Sequence, residues 1–302
     1  MPIKLIPTKT NIAFINKKAI CMALSLLVII GTVALVATKG INFGIDFTGG
    51  IIIEAKTDSK VALADIRSAL GQNVSLQRVD DLGEIMIRLP SDPNRENQEI
   101  ITEVKAKLAA VIEGKIDYRR IDYVGPQVGN ELIETAIIAL LASFGAMLIY
   151  IWFRFEWQYG VGAILALVHD AIAVIGFYAV TQMEFNLSSV AAVLTVIGYS
   201  INDSVVIYDR VRENLRKYKK MPLAELLDLS INETLSRTII TGGTTLLALA
   251  ALIIFGGSVL QSFAWGLFFG VLVGTYSSIY ISAIVLLYVD PRKSEINEAN
   301  TV

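Results

Sequence analysis

Six apolar runs of about 20 residues dominate this sequence, each long enough to cross the hydrocarbon layer of a bilayer as a helix. They are read at 19–38, 133–153, 160–180, 187–208, 237–255 and 263–289. Inside lipid every backbone N–H and C=O needs an internal partner, so runs of this kind are helical. Composition agrees: 54% of the 302 residues are hydrophobic and 18% are charged. With a mean hydropathy of +0.59, the chain belongs with polytopic membrane proteins rather than soluble domains.

Several function classes drop out at once. A single cysteine, Cys21, rules out an internal disulfide or a cysteine metal site, and a single histidine, His169, argues against a zinc centre. A net charge of -2 disfavours nucleic acid as a partner. No metal and no cofactor is therefore expected, and no ATP site is recognisable. Work must come from an ion gradient or a partner, through carboxylates, hydroxyls and a few basic groups.

Residues 1–18 carry Lys4, Lys9, Lys17 and Lys18 and no acid before the first run. That run is too long for an ordinary cleaved leader and lacks a small-x-small site after it, so an uncleaved signal anchor with a cytoplasmic amino end is expected. The short loops 181–186 and 256–262 hold no Lys or Arg. Arg154, Arg210, Arg212, Arg216, Lys217, Lys219, Lys220, Arg292 and Lys293 all fall on the opposite side. The positive-inside rule then puts both termini (1–18 and 290–302) in the cytoplasm and residues 39–132 outside. Trp152 and Trp157 suit an interfacial belt. A short amphipathic helix on the inner face is expected over Pro222, Leu223, Leu226, Leu227 and Ile231.

Residues 39–132 read as a soluble domain between the first and second spans. Ile51, Ile53 and Ala55 alternate with Glu54 and Lys56, as in a half-buried strand. After a cap at Asp58-Ser59, Leu63, Ile66 and Leu70 fall at helical spacing and Gly71 stops the helix. Strands follow at 74–79 and 84–89 about the turn Asp80-Asp81-Leu82-Gly83. A second helix is expected to open at Asp92-Pro93, with Ile100, Ile101, Val104, Leu108 and Val111 in one stripe and an end at Gly114. A last strand, 116–124, completes βαββαβ, the ferredoxin-like α+β order.

The site candidates are polar groups inside the spans. Asp203 lies in Gly198–Arg210 with Ser200, Asn202 and Ser204 around it. A charge at mid-bilayer costs about 2.5 to 3.5 kcal/mol on insertion scales, so Asp203 is read first as a protonatable group that loads and releases a proton. The rival reading is a carboxylate that reaches toward water or caps a helix. Arg237 opens the fifth span and is a possible partner, with Thr241, Thr244 and Thr245 beside it; the alternative is an interfacial anchor. His169-Asp170 either joins a relay with Asp203 or bonds neighbouring helices in a static network. Gly266, Gly270 and Gly274 form a close-packing ladder. Gly44, Asp46, Gly49 and Gly50 do not fit a phosphate loop and read as a turn at the membrane surface. Gly125, Pro126 and Gly129 have the composition of a hinge.

The stretches 43–50, 124–132, 198–216 and 236–238 together resemble the SecF family, the smaller subunits of the bacterial SecDF protein-export complexes, within the resistance-nodulation-division superfamily. The resemblance implies an α-helical polytopic protein of the bacterial inner membrane with six transmembrane helices and one extracytoplasmic ferredoxin-like domain. It also implies an ion-gradient-driven translocation subunit rather than an enzyme. By the same resemblance Asp203 and Arg237 match the proposed proton path, opposite an acid from SecD. The implied partners are SecD, the SecYEG translocon, YajC, the emerging unfolded preprotein and the membrane, and the driving ion is a proton or sodium. Rival readings are a structural subunit without ion coupling, an intramembrane aspartyl protease using Asp170 and Asp203, and an exporter half of the same superfamily.

Overall fold

A computed structural model describes residues 10–57, 62–71, 74–78, 83–90, 92, 95–112 and 114–292. Asp58-Ser59, the tip 80–82, Pro93, Lys4, Lys9 and Lys293 lie outside the described residues. The chain forms two compact units, Phe43–Ile138 and the helical remainder on either side of it.

Within the first unit the order is α2 (Ile45–Thr48), β1 (Gly50–Thr57), α3 (Leu63–Leu70), β2 (Ser75–Arg78), β3 (Glu84–Leu89), α4 (Asn97–Val111) and β4 (Ile116–Val124). The four strands form one antiparallel sheet in the order β2-β3-β1-β4, with Ile53 opposite Ile87 on one side and Ile121 on the other. This is the ferredoxin-like βαββαβ arrangement. Ile51, Ile53, Ile85 and Ile87 meet Ile66 of α3 and Ile100, Val104 and Leu108 of α4 in one core.

Four details of this unit differ from the periodicity. β1 is central, and both of its faces are buried: Ile52 and Glu54 are as enclosed as Ile51 and Ile53, with α2 packed near β1 and β4. Glu54 is tolerated there because Arg120 stands 3.7 Å away. α4 begins at Asn97 behind an extended Glu96, later than Asp92-Pro93, and Ile112 rather than Val111 completes its buried stripe. The 43–50 stretch is a single helical turn, α2, rather than a bare turn. Gly49 and Gly50 then leave it at φ +68° and +123°, values that side-chain-bearing residues avoid.

α1 (Lys18–Lys39) precedes this unit, and α5 (Pro126–Arg154), α6 (Trp157–Thr181), α7 (Leu187–Lys217), α8 (Leu223–Phe255), α9 (Gly257–Ser277) and α10 (Ala283–Val289) follow it. A π-wound turn, Ser278–Ser282, joins α9 to α10 without a break. Among the described residues, six helical segments are long and apolar enough to cross a membrane. Pro126 is the first residue of α5, where its fixed φ and missing N–H suit a helix start, so the 126–129 part of the expected hinge is helical. Gly129 lies against the backbone of Phe47.

α8 runs unbroken from Leu223, so the separate surface helix expected at Pro222–Ile231 does not exist. Its apolar residues Leu226, Leu227, Ile231 and Leu235 join the helical core instead of facing a membrane surface. Asn214 of α7 donates to Ser230 Oγ at 3.0 Å. α7 also continues past Tyr208 to Lys217. Asp203 is therefore the seventeenth of 31 residues of α7.

α6, α7 and the α9–α10 segment are the buried helices of this unit, whereas α1, α5 and α8 turn most of their apolar surface outward. α1 illustrates the inversion expected in lipid: Leu27 is 66% exposed while Ser25 and Thr32 are buried. Ser25 Oγ lies 3.0 Å from the Tyr276 hydroxyl, which donates to the Cys21 carbonyl at 2.7 Å.

Candidate functional site

The polar interior is built where α6, α7 and α9 cross. Small residues make the crossing close. A Cβ on Gly266 would overlap the Tyr178 hydroxyl, and one on Gly270 would overlap Val196. Gly274 would meet Ser200 Cβ at 3.2 Å and Asp170 Oδ2 at 3.7 Å. The glycine ladder thus seats α9 on α6 and α7 of the same chain.

That approach gathers hydroxyls around Asp170, which is fully buried. Ser200 Oγ of α7 donates to Asp170 Oδ2 at 2.6 Å, and Ser277 Oγ of α9 donates to the same oxygen at 2.7 Å. His169 Nδ1 lies 3.1 Å from Asp170 Oδ1. An ionised Asp170 accepts only, so Nδ1 carries a proton in that state. His169 Nε2 is buried without a hydrogen-bond partner. Hydrogen bonds from α7 and α9 to a side chain of α6 make Asp170 a three-way tie. Ser277 immediately precedes the π turn, a local winding that recurs at functional sites.

Asp203 lies one helical turn beyond Ser200 on α7, at i+3 and so on the same side of the helix. It is buried, and its Oδ2 has no hydrogen-bond partner. Arg237 makes no ion pair with it among the described residues. Arg237 is exposed, as is Asn202 beside Asp203. The hydroxyls expected to form a seam with Asp203 bond back along their own helix. Thr241 donates to Arg237 O at 3.0 Å and Thr245 to Thr241 O at 2.9 Å. No hydrogen bond among the described residues joins Asp170 to Asp203.

Three further residues belong to this region and were not singled out from the sequence. Ser277 carried a signal, since it sits one turn beyond the last ladder glycine in an apolar run. Tyr199 and Tyr208 carry buried hydroxyls without hydrogen-bond partners, and nothing in their spacing separates them from interfacial tyrosines. Among the described residues no cluster of three or more His, Cys, Asp or Glu side chains forms a metal site.

Residues 103–292 match the family described as "Protein export membrane protein SecD/SecF, C-terminal", and residues 34–61 match "SecD/SecF GG Motif". The chain belongs to the SecD/SecF family. It is 47% identical to the protein translocase subunit SecF of Rickettsia akari over 97% of this chain and 96% of that one. Identity to the Rickettsia felis subunit is 48% over the same shares. Among solved structures, SecDF of Thermus thermophilus, titled a translocon-associated membrane protein, superposes with a TM-score of 0.85 at 36% identity. The match covers 94% of this chain and 39% of that one. A SecDF structure described as a super-membrane-facing form matches with a TM-score of 0.70 at 37% identity, covering all of this chain and 41% of that one. The chain thus spans about two fifths of those SecDF chains and nearly the whole of the SecF subunits. It is a SecF-type protein translocase subunit and a multi-pass membrane protein.

Proposed function

We propose that the chain is one half of an ion-driven export machine: it pairs with SecD in the bacterial inner membrane and uses a proton or sodium gradient to promote late translocation through SecYEG. One observation carries this reading. Asp203 is buried at the middle of a membrane helix with an unsatisfied oxygen, beside an exposed Asn202 and an exposed Arg237. A carboxylate in that position is costly unless it exchanges an ion or meets a partner. Polar side chains turned outward from membrane helices are poor lipid neighbours, which favours a second chain or a water path against α7 and α8.

In this reading Asp203 loads and releases the ion, and Arg237 sets its charge balance. Asp170 and His169 hold the adjoining crossing and complete the polar path toward it. Each proton crossing the membrane supplies about 2.3 kcal/mol per 100 mV, comparable to burying one charge, so one loading event suffices to repack a few helices. Both termini face the cytoplasm and the ferredoxin-like domain faces outward, where it moves with the partner's domain to draw the preprotein out; YajC is an accessory contact. No covalent chemistry is assigned to the chain.

The test is Asp203→Asn in vesicles that contain the partner and the translocon, under separately imposed proton and sodium gradients. Gradient-stimulated export should disappear while the partner still co-purifies. Normal export by the variant would remove the coupling role and leave a structural subunit.

A further inference from the structure

The turn between α7 and α8 holds a concentration of charge that the ion path does not use. Arg216, Lys217, Tyr218, Lys219, Lys220 and Met221 line a shallow, solvent-open cavity of about 440 Å³. Nearby arginines are neutralised: Arg154 pairs with Asp209 at 2.7 Å, and Arg210 pairs with Glu213 at 2.5 Å and Glu233 at 2.7 Å. Arg216, Lys217, Lys219 and Lys220 have no ion pair among the described residues. Glu225, the acid of the first α8 turn, does not line the cavity.

The backbone under these cations is fixed. Tyr218 N donates to Asn214 O at 2.8 Å and Met221 N to Tyr218 O at 3.2 Å, and the Arg292 guanidinium donates to the Met221 carbonyl. Lys217 Nζ lies 5.0 Å from the Tyr218 ring centroid. α8 starts directly after the cavity, with no side-chain cap from Pro222, so the positive end of a 33-residue helix stands beside the four cations. Tyr218 and Met221 supply an apolar edge.

We propose that this turn is a binding site for the phosphate headgroup of an anionic phospholipid. Unpaired cations on a fixed turn at the end of two membrane helices are the arrangement that phosphodiester headgroups recognise, and an apolar edge suits a ligand whose tail enters the bilayer. The proposal rests on the topology given above, which sets the turn at the cytoplasmic face.

The experiment is native mass spectrometry of the full chain in detergent, titrated in turn with phosphatidylglycerol, phosphatidylcholine and inorganic phosphate. The variant Arg216→Gln/Lys219→Gln/Lys220→Gln is compared with Arg67→Gln/Lys105→Gln/Arg119→Gln, which removes equal charge from the ferredoxin-like domain. The chain should retain phosphatidylglycerol over phosphatidylcholine, and the first variant should weaken that binding about fivefold per cation removed, roughly a hundredfold in all. The second variant should bind as the parent does. Equal retention by the first variant, equal weakening in the second, or no preference over phosphatidylcholine would overturn the proposal. Displacement of the lipid by millimolar inorganic phosphate would make free phosphate the ligand and overturn it too. Binding in detergent does not depend on which way the turn faces. Labelling Lys219→Cys in a Cys21→Ser background, in intact cells and inverted vesicles, reads the topology separately.

Discussion

Asp170 offers the most direct way to weigh the crossing of α6, α7 and α9, because one of its oxygens is held by two hydroxyls from different helices. Ser277→Ala removes one donor and leaves Ser200 in place. A hydrogen bond to a charged group is worth about 1.5 to 3 kcal/mol in soluble proteins. Side-chain bonds between membrane helices average about 0.6 and reach about 1.7 kcal/mol. Asp170 is fully buried, so a loss near the upper membrane figure, about 1.5 kcal/mol, is expected for Ser277→Ala and similarly for Ser200→Ala.

The double variant should lose more than the sum. The first deletion leaves Oδ2 one donor, whereas the second leaves a buried carboxylate oxygen with none and adds a desolvation penalty of about 1 to 3 kcal/mol. Reversible unfolding of the full chain in mixed micelles, followed by circular dichroism against detergent composition, measures all three variants and the coupling between them. Strict additivity, or singles indistinguishable from the parent, would refute the three-way tie and leave Asp170 a solvated or protonated bystander.

Two further outcomes follow from other parts of the molecule. Gly270→Ala places a methyl group into Val196, so the α7–α9 contact should lose about 1 to 3 kcal/mol in the same assay. Adding Val196→Ala should recover most of it; an unchanged Gly270→Ala stability would show that the helices are not in close contact. In the ferredoxin-like unit, Lys107 and then Arg95 hold Glu103 down to about 2 from its ordinary 4.5. Its folded pKa is depressed, so its small contribution is present above about pH 4.5 and is lost as pH falls through about 2. The group is exposed, and salt should erase most of the effect. A carboxyl carbon-13 titration of Glu103 with its midpoint near 4.5 at low salt would contradict the pairing.

The fold was legible wherever a periodicity spoke for itself. Membrane spans show in hydropathy because lipid forces each segment to satisfy its own backbone, and the βαββαβ order shows because strands and helices alternate in period. Element ends were less legible. α7 and α8 extend well past their apolar runs, because Leu226, Leu227 and Ile231 pack into the helical core instead of meeting a membrane surface. Their pattern is the same in either environment. β1 likewise reads as half-buried although both faces are covered, since alternation cannot reveal a central strand whose second face meets α2 and whose one acid meets Arg120.

At the site, the sequence alone determined which side chains are out of place in lipid: Asp170, Asp203, Arg237 and His169, whose polarity is a property of the residue and needs no neighbours to be recognised. Which of them are satisfied was decided only by tertiary structure. Two helices crossing on glycine bring Ser200 and Ser277 to Asp170, over 30 and 107 residues of chain. Asp203, the more conspicuous residue in the sequence, keeps an unpartnered oxygen, and Arg237 forms no ion pair with it among the described residues. Hydrogen bonds act over about 3 Å in space and carry no mark in a linear order, so the closed knot at Asp170 and the open position at Asp203 are distinguished only when the helices are packed.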